Sequence, residues 1–102
     1  MRRLSLKGLR TLKEALEKGF SILEQGRSAL DSVEMAIRVL EDDEEFNSGT
    51  GSRLQLDGVA RMDAGIMDGK TLRAGAVASL KEIKNPISAA RLVMEKTPHV
   101  LM

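Results

Sequence analysis

The chain changes its hydrophobic period part-way along, and that change restricts the folds open to it. Between residues 8 and 40 the large apolar side chains return every three or four positions: Leu9, Leu12, Leu16, Phe20 and Leu23, then Leu30, Val33, Ile37 and Leu40. Each set lines one side of an α-helix. From residue 52 onward, short apolar stretches are separated by Asp-Gly pairs, the pattern of strands and tight turns. Together they predict an α+β chain: a helix hairpin followed by antiparallel strands, a helix and a final strand.

Local signals place the ends. The first helix is expected over residues 8–25, stopping at Gly26. Gly19 in its middle costs ~1 kcal/mol of helix propensity relative to Ala and admits a close neighbour. The second helix is expected from Ser28, a capping residue with Asp31 three positions on. Ala29, Ala36 and Val39 widen its stripe, so it should be the more buried of the two. With only Gly26 and Arg27 between them, the helices should be antiparallel, held by Leu16, Phe20, Leu30, Val33 and Ile37.

Residues 41–51 read as a loop. Residues 52–56 and 59–67 read as strands about an Asp57-Gly58 turn, and Asp68-Gly69 turns the chain again. Residues 75–80 are small and apolar, which predicts a strand buried on both faces. Asn85 as cap and Pro86 in the first turn open a helix over 86–96, with Ile87, Ala90, Val93 and Met94 on one side. Thr97-Pro98 closes it, and residues 99–102 start an apolar strand. Such a sheet has open edges, so a further segment or self-association is expected to complete it.

Composition removes several function classes. The 102 residues contain no Cys, which excludes disulfides, thiolate chemistry and Cys-ligated zinc, and one His, His99, which excludes a multi-His metal site within the chain. His99 has no evident partner and reads as structural. Sixteen basic and fifteen acidic residues leave a net charge of +1, with no global footprint for nucleic acid. No apolar run approaches the roughly 18 residues of a membrane span. Charge interrupts the basic N-terminal stretch, and Glu14 and Glu17 fall within it, so it reads as neither signal nor transit peptide. A soluble, cytoplasmic protein is expected.

Three stretches invite a chemical reading. Ala64–Thr71 ends in Gly-Lys-Thr, as a phosphate-binding loop does, but begins with Ala64 and runs into Gly75, a poor helix start; a tight turn after a strand is the better reading. The acidic run Glu41, Asp42, Asp43, Glu44, Glu45 follows a helix C-terminus, where negative charge is unfavourable. It reads as a solvated loop, or as a loop whose carbonyls hold a monovalent cation. Residues 46–52, Phe-Asn-Ser-Gly-Thr-Gly-Ser, make a tight loop in which Asn47 caps its own turn or points into a site. The residues alone reveal no catalytic group.

SALDSVEMAIRVLEDDEEFNSGTGS, MDAGIMDGKTLRAGAVA and IKNPISAARLVMEKTPHVL, in that order and spacing, resemble the N-terminal, α-subunit part of the isoaspartyl peptidase/L-asparaginase family, the plant-type asparaginases. The resemblance runs over residues 8–102. It implies part of a four-layer αββα sandwich of the N-terminal nucleophile hydrolases. It also implies an enzyme that hydrolyses L-asparagine and β-aspartyl (isoaspartyl) dipeptides. The nucleophile would be a Thr exposed by self-cleavage at the start of a β-subunit, with its own amine as base. No residue of this chain matches that Thr, so no catalytic residue is expected here. The resemblance carries over a sodium loop of main-chain carbonyls onto Leu40, Glu41, Asp43, Phe46, Ser48 and Thr50, and a site-supporting role onto Asn47.

The chain departs from the family pattern at Ser48, Arg53 and Gly65, and it starts after the family's first strand and its His-Gly-Gly-Ala-Gly segment. It is therefore expected to be one incomplete domain, inactive alone, that works with a β-subunit. The alternatives are a non-enzymatic fragment or interaction module and, less favoured, a nucleotide binder through Ala64–Thr71.

Overall fold

The computed structural model describes residues 5–43, 62–80, 84–98 and 100–101. Helix α1 spans Leu6–Glu24 and starts two residues earlier than its apolar stripe suggests. Ser5 sets that end, its Oγ accepting the Gly8 N–H at 3.1 Å. The other end is fixed by Gly26 at φ +77°, where the Gly26 N–H reaches the Leu23 carbonyl and the Arg27 N–H reaches that of Ile22. This pair of bonds satisfies the last helical carbonyls and needs a left-handed residue, which glycine supplies without strain. Helix α2 spans Ala29–Glu41, with Ser28 Oγ accepting the Asp31 N–H at 3.1 Å, as its sequence predicts.

The two helices are antiparallel: Ser32 Oγ donates to the Gly19 carbonyl at 2.8 Å, and the Thr11 hydroxyl donates to Asp43 at the far end. They meet through small residues rather than through the large ones expected. Gly8, Ala15, Gly19 and Ile22 of α1 and Ser32 of α2 are buried, while Leu16 is 74% and Phe20 63% exposed, and Val33 is exposed too. A helix buries only the arc that faces its neighbour, and small side chains let the backbones approach along that arc. A Cβ on Gly19 would lie 3.2 Å from Ser32 Oγ, so the glycine does admit a close neighbour. Leu30 and Ile37 are half-buried but turn toward the core of the other half of the molecule.

That half consists of β1 (Met62–Met67), β2 (Ala74–Leu80) and α3 (Pro86–Lys96). The strands are antiparallel, pairing Met67 with Ala74, Ile66 with Gly75 and Ala64 with Val77, with an irregularity between Met62 and Ala64. Alternate residues therefore point to one side. Ile66 and Val77 pack on Ile87, Ala90, Val93 and Met94 of α3, and these six form the core. The expectation that residues 75–80 are buried on both faces is not met: Gly75 and Val77 are buried, Ala74 and Ala76 are half-buried and Ala78 is exposed, because α3 covers one side only. The final strand is present as a single parallel bridge of Leu101 to Ala76, with the Ala76 N–H donating to the Val100 carbonyl at 2.6 Å. The strand expected at 52–56, its Asp57-Gly58 turn, residues 59–61 and His99 lie outside the described residues. No described helix is long and apolar enough to cross a membrane.

This packing gives an expectation opposite to that from the stripes. Ile87, 1% exposed, should cost about 2–5 kcal/mol when truncated to Ala, whereas Phe20→Ala should cost under about 1 kcal/mol in urea unfolding of the monomer.

Candidate functional site

Two places carry the residues singled out in the sequence: the junction where α2 ends against the start of α3, and the turn between β1 and β2.

At the junction, Leu40 and Glu41 form the last turn of α2 and Asp43 follows directly. Glu41 is thus helical rather than part of a loop over 41–51, and its side chain is buried rather than solvated. Its Oε2 accepts the Ile87 N–H at 3.1 Å and its Oε1 accepts from Asn85 Nδ2 at 3.2 Å. Asp42 accepts from the same Asn85 amide at 3.1 Å. Pro86 has no N–H, so Ile87 carries the first free amide of α3, and a carboxylate there satisfies it and complements the helix dipole. Asn85 occupies the N-cap position but makes no capping bond with its side chain. The expectation that Asn85 caps α3 is corrected: Glu41 supplies the acceptor. Burial pushes the Glu41 carboxyl above its usual range, against the pull of the bonds from Asn85 and Ile87. Asp43 is also buried, and accepts from Thr11.

A polar seam continues along the same face of α2. Asp31, Glu34, Arg38 and Glu41 are spaced three, four and three apart, which aligns them toward α3. Arg91 Nη1 lies 2.6 Å from Asp31 and 3.0 Å from Glu34, and its Nε lies 2.7 Å from Glu95. Ser88 Oγ donates to Glu34 at 2.5 Å and accepts from Arg38 at 2.9 Å. Sequence reading misses this network, because its partners are nearly sixty residues apart and each charge alone looks like surface.

The Arg91 hydrogen bond holds the Asp31 carboxyl below its usual value of 3.8. A carboxyl depressed in the folded state adds stability that is complete above its unfolded value and lost as pH falls through the folded one. Replacing Arg91 with Met should therefore flatten the loss of stability below about pH 3.8, measured by urea unfolding across pH.

The Gly-Lys-Thr stretch is a hairpin turn. Asp68 N–H donates to the Arg73 carbonyl and Leu72 N–H to the Asp68 carbonyl, both at 2.8 Å, and the Asp68 side chain accepts the Lys70 N–H at 3.0 Å. The turn engages the Asp68, Lys70 and Leu72 amides, and β2 rather than a helix follows. Leu72 sits at φ +61°, a strained conformation for a branched residue. Arg73 donates to the Met94 carbonyl near the end of α3, tying the turn to that helix. The nucleotide-binding alternative has no support in this geometry.

Of the residues proposed for sodium, Leu40, Glu41 and Asp43 are described, and Phe46, Ser48 and Thr50, like Asn47, lie outside the described residues. Among the described residues no group of three or more His, Cys, Asp or Glu side chains could hold a metal ion. Carbonyl oxygens at the end of α2 are a different donor set. The last carbonyls of a helix carry the negative end of its dipole, which suits a monovalent cation; the Leu40 carbonyl accepts the Asp43 N–H at 3.2 Å and keeps its second lone pair for one. The Glu41 carboxylate is committed to α3, so this residue can contribute only its main chain.

A sequence model of a family described as Asparaginase matches residues 3–102. This chain belongs to the asparaginase family. The plant-type L-asparaginase of Pyrococcus abyssi is 59% identical over 96 residues, covering 94% of this chain and 31% of that relative. The plant-type L-asparaginase of Pyrococcus horikoshii is 62% identical over 91 residues, 89% of this chain and 30% of that protein. The isoaspartyl peptidase/L-asparaginase of Rattus norvegicus is 54% identical over 91 residues, 89% of this chain and 27% of that protein. This asparaginase-family chain thus spans less than a third of the length of these curated relatives. The junction at Glu41 and the turn at Asp68 both fall inside the matched stretch.

Proposed function

We propose that this chain is the α-subunit-like part of an amidohydrolase that cleaves L-asparagine and β-aspartyl dipeptides. The observation that carries the reading is identity of 54–62% over most of the chain to relatives named L-asparaginase and isoaspartyl peptidase. The nucleophile is then a Thr of a β-subunit, its hydroxyl activated by its own amine. The chain's part is to scaffold: the end of α2 presents carbonyls to a sodium ion, together with Phe46, Ser48 and Thr50, and Asn47 supports the site. The sheet face opposite α3 carries Gly65, Ala74, Ala76 and Ala78 beside the exposed Met67, an apolar surface of the kind on which a second sheet stacks, which supports the four-layer sandwich.

The test combines the purified chain with the segments of the Pyrococcus abyssi relative that precede and follow the matched stretch. Ammonia release from L-asparagine is followed with each part alone and with all together. The expected result is turnover only in the mixture, since no residue of this chain matches the nucleophilic Thr of the family. Turnover by the chain alone, abolished by a substitution within it, would overturn the reading. An associated but inactive mixture would favour the non-enzymatic interaction module. Exchanging sodium for a bulky organic cation should lower the Tm of the active mixture by mass action. Dependence no greater than general salt screening would leave the acidic run a solvated loop.

A further inference from the structure

The turn that joins β1 to β2 is built around an Asp-Gly pair, and its geometry opens that pair to a reaction of its own. Asp68 is half-buried and Gly69 is exposed. The amides of Asp68, Lys70 and Leu72 are engaged, and among the described residues the Gly69 N–H donates to no acceptor. The Lys70 N–H holds the Asp68 carboxyl at 3.0 Å, which folds it back over the Gly69 amide. A Cβ on Gly69 would meet nothing within 4 Å, so the approach to its nitrogen is open. We propose that Asp68-Gly69 is a site of spontaneous isomerisation to isoaspartate in the folded chain.

The Gly69 nitrogen attacks the Asp68 Cγ. A new C–N bond forms, the amide proton and the carboxyl hydroxyl leave as water, and the side chain closes into a succinimide. Water then adds to one of the two imide carbonyls. Addition at the former side-chain carbonyl restores aspartate. Addition at the main-chain carbonyl breaks its bond to the Gly69 nitrogen. The chain then runs through the Asp68 side chain, and the freed main-chain carboxyl makes the residue isoaspartate. One water leaves and one enters, so the step needs no co-reactant. Glycine leaves the attacking nitrogen unhindered. The Lys70 N–H is aimed at the carboxyl oxygen on which negative charge develops during the attack. Leu72, strained at φ +61°, closes the same turn through its bond to the Asp68 carbonyl, and the longer backbone of isoaspartate gives the turn room to release it. The product is a β-aspartyl-glycine bond, the linkage class of the proposed dipeptide substrates, yet it forms here without any catalytic partner.

Trypsin releases residues 62–70 as one peptide, which holds both Asp63-Ala64 and Asp68-Gly69. The folded chain is kept for weeks in mildly acidic buffer, and isoaspartate is located in that peptide by electron-transfer mass spectrometry. A succinimide at residue 68, lighter by one water, should appear first. Isoaspartate should then accumulate at residue 68 at least about tenfold faster than at residue 63, where the following residue carries a Cβ. Gly69→Ala, in open space, should keep the circular dichroism of the parent and slow the reaction by at least about tenfold. Asp68→Asn keeps an oxygen for Lys70 but loses ammonia in place of water, and should react faster than the parent. The same chain unfolded in guanidinium chloride is the reference. A slower reaction at residue 68 in the folded chain than in the unfolded one would show that the turn holds the carboxyl away from the amide, and would overturn the proposal. Equal accumulation at residues 63 and 68 would overturn it too.

Discussion

Replacing Gly75 with Ala is expected to cost about 3 kcal/mol or more, a large share of the 5–15 kcal/mol typical of a small domain. A Cβ at that position would lie 2.3 Å from the Ala90 carbonyl oxygen, 2.6 Å from the Met94 nitrogen and 2.8 Å from the Met94 Cβ. Two of these atoms are backbone of α3, so no side-chain rotation relieves the overlap and the helix must lift from β2. Lifting it opens the layer where Ile87, Ala90, Val93 and Met94 meet Ile66 and Val77, the main core of the molecule. Gly65, which pairs with Ala76 on the other strand, is the control: a Cβ there would have nothing nearer than 3.9 Å. Gly65→Ala should fall within about 1 kcal/mol of the parent chain, since alanine also restricts the unfolded state. Urea unfolding followed by circular dichroism separates the two. Equal midpoints for both variants would mean that α3 does not sit on β2 as closely as described.

Glu41→Ala is the second large effect, at about 2–3 kcal/mol. It removes the cap of α3 and leaves the Ile87 N–H buried without its acceptor, an omission that alone costs about 1–3 kcal/mol. Glu41→Gln keeps an amide oxygen for Ile87 and should cost about 1 kcal/mol, because its NH2 replaces the oxygen that accepts from Asn85. Amide hydrogen exchange at Ile87 gives a local readout: protection lost in Glu41→Ala and largely kept in Glu41→Gln. The pH response follows from the raised carboxyl. Its contribution is greatest below the usual value of 4.5 and is lost as pH rises through the higher folded value, because the unfolded chain releases its proton first. Glu41→Gln should abolish that decline, which lies on the opposite side of the acid limb set by Asp31. A decline that persists in Glu41→Gln would place its origin in another group.

These two residues also show why the candidate site was only partly legible. Glu41 sits in a run of five acidic residues, and nothing within ten positions tells it apart from Asp42 or Glu44. Its partner is the amide of Ile87, 46 residues on. Gly75 belongs to a short apolar stretch that reads as any buried strand, and its need for hydrogen in place of a methyl comes from a helix more than ten residues later. The catalytic reading, by contrast, rested on ordered motifs, and the family match bears out the family they implied.

The sequence by itself determined the features whose causes lie within a turn or two of chain. Ser28 and Gly26 fix helix ends through bonds three to five residues away, and Asp68 closes its turn on Lys70 and Leu72. Tertiary structure alone decided which side of α1 is buried. A helix stripe marks what is apolar, but the neighbour chooses its contact by how closely two backbones can approach, and Gly8, Ala15 and Gly19 win that choice over Leu16 and Phe20. It also decided that Glu41, Asp31 and Glu34 serve α3, because a charge becomes a cap or an ion pair only when folding brings a distant donor to it and removes the water between them.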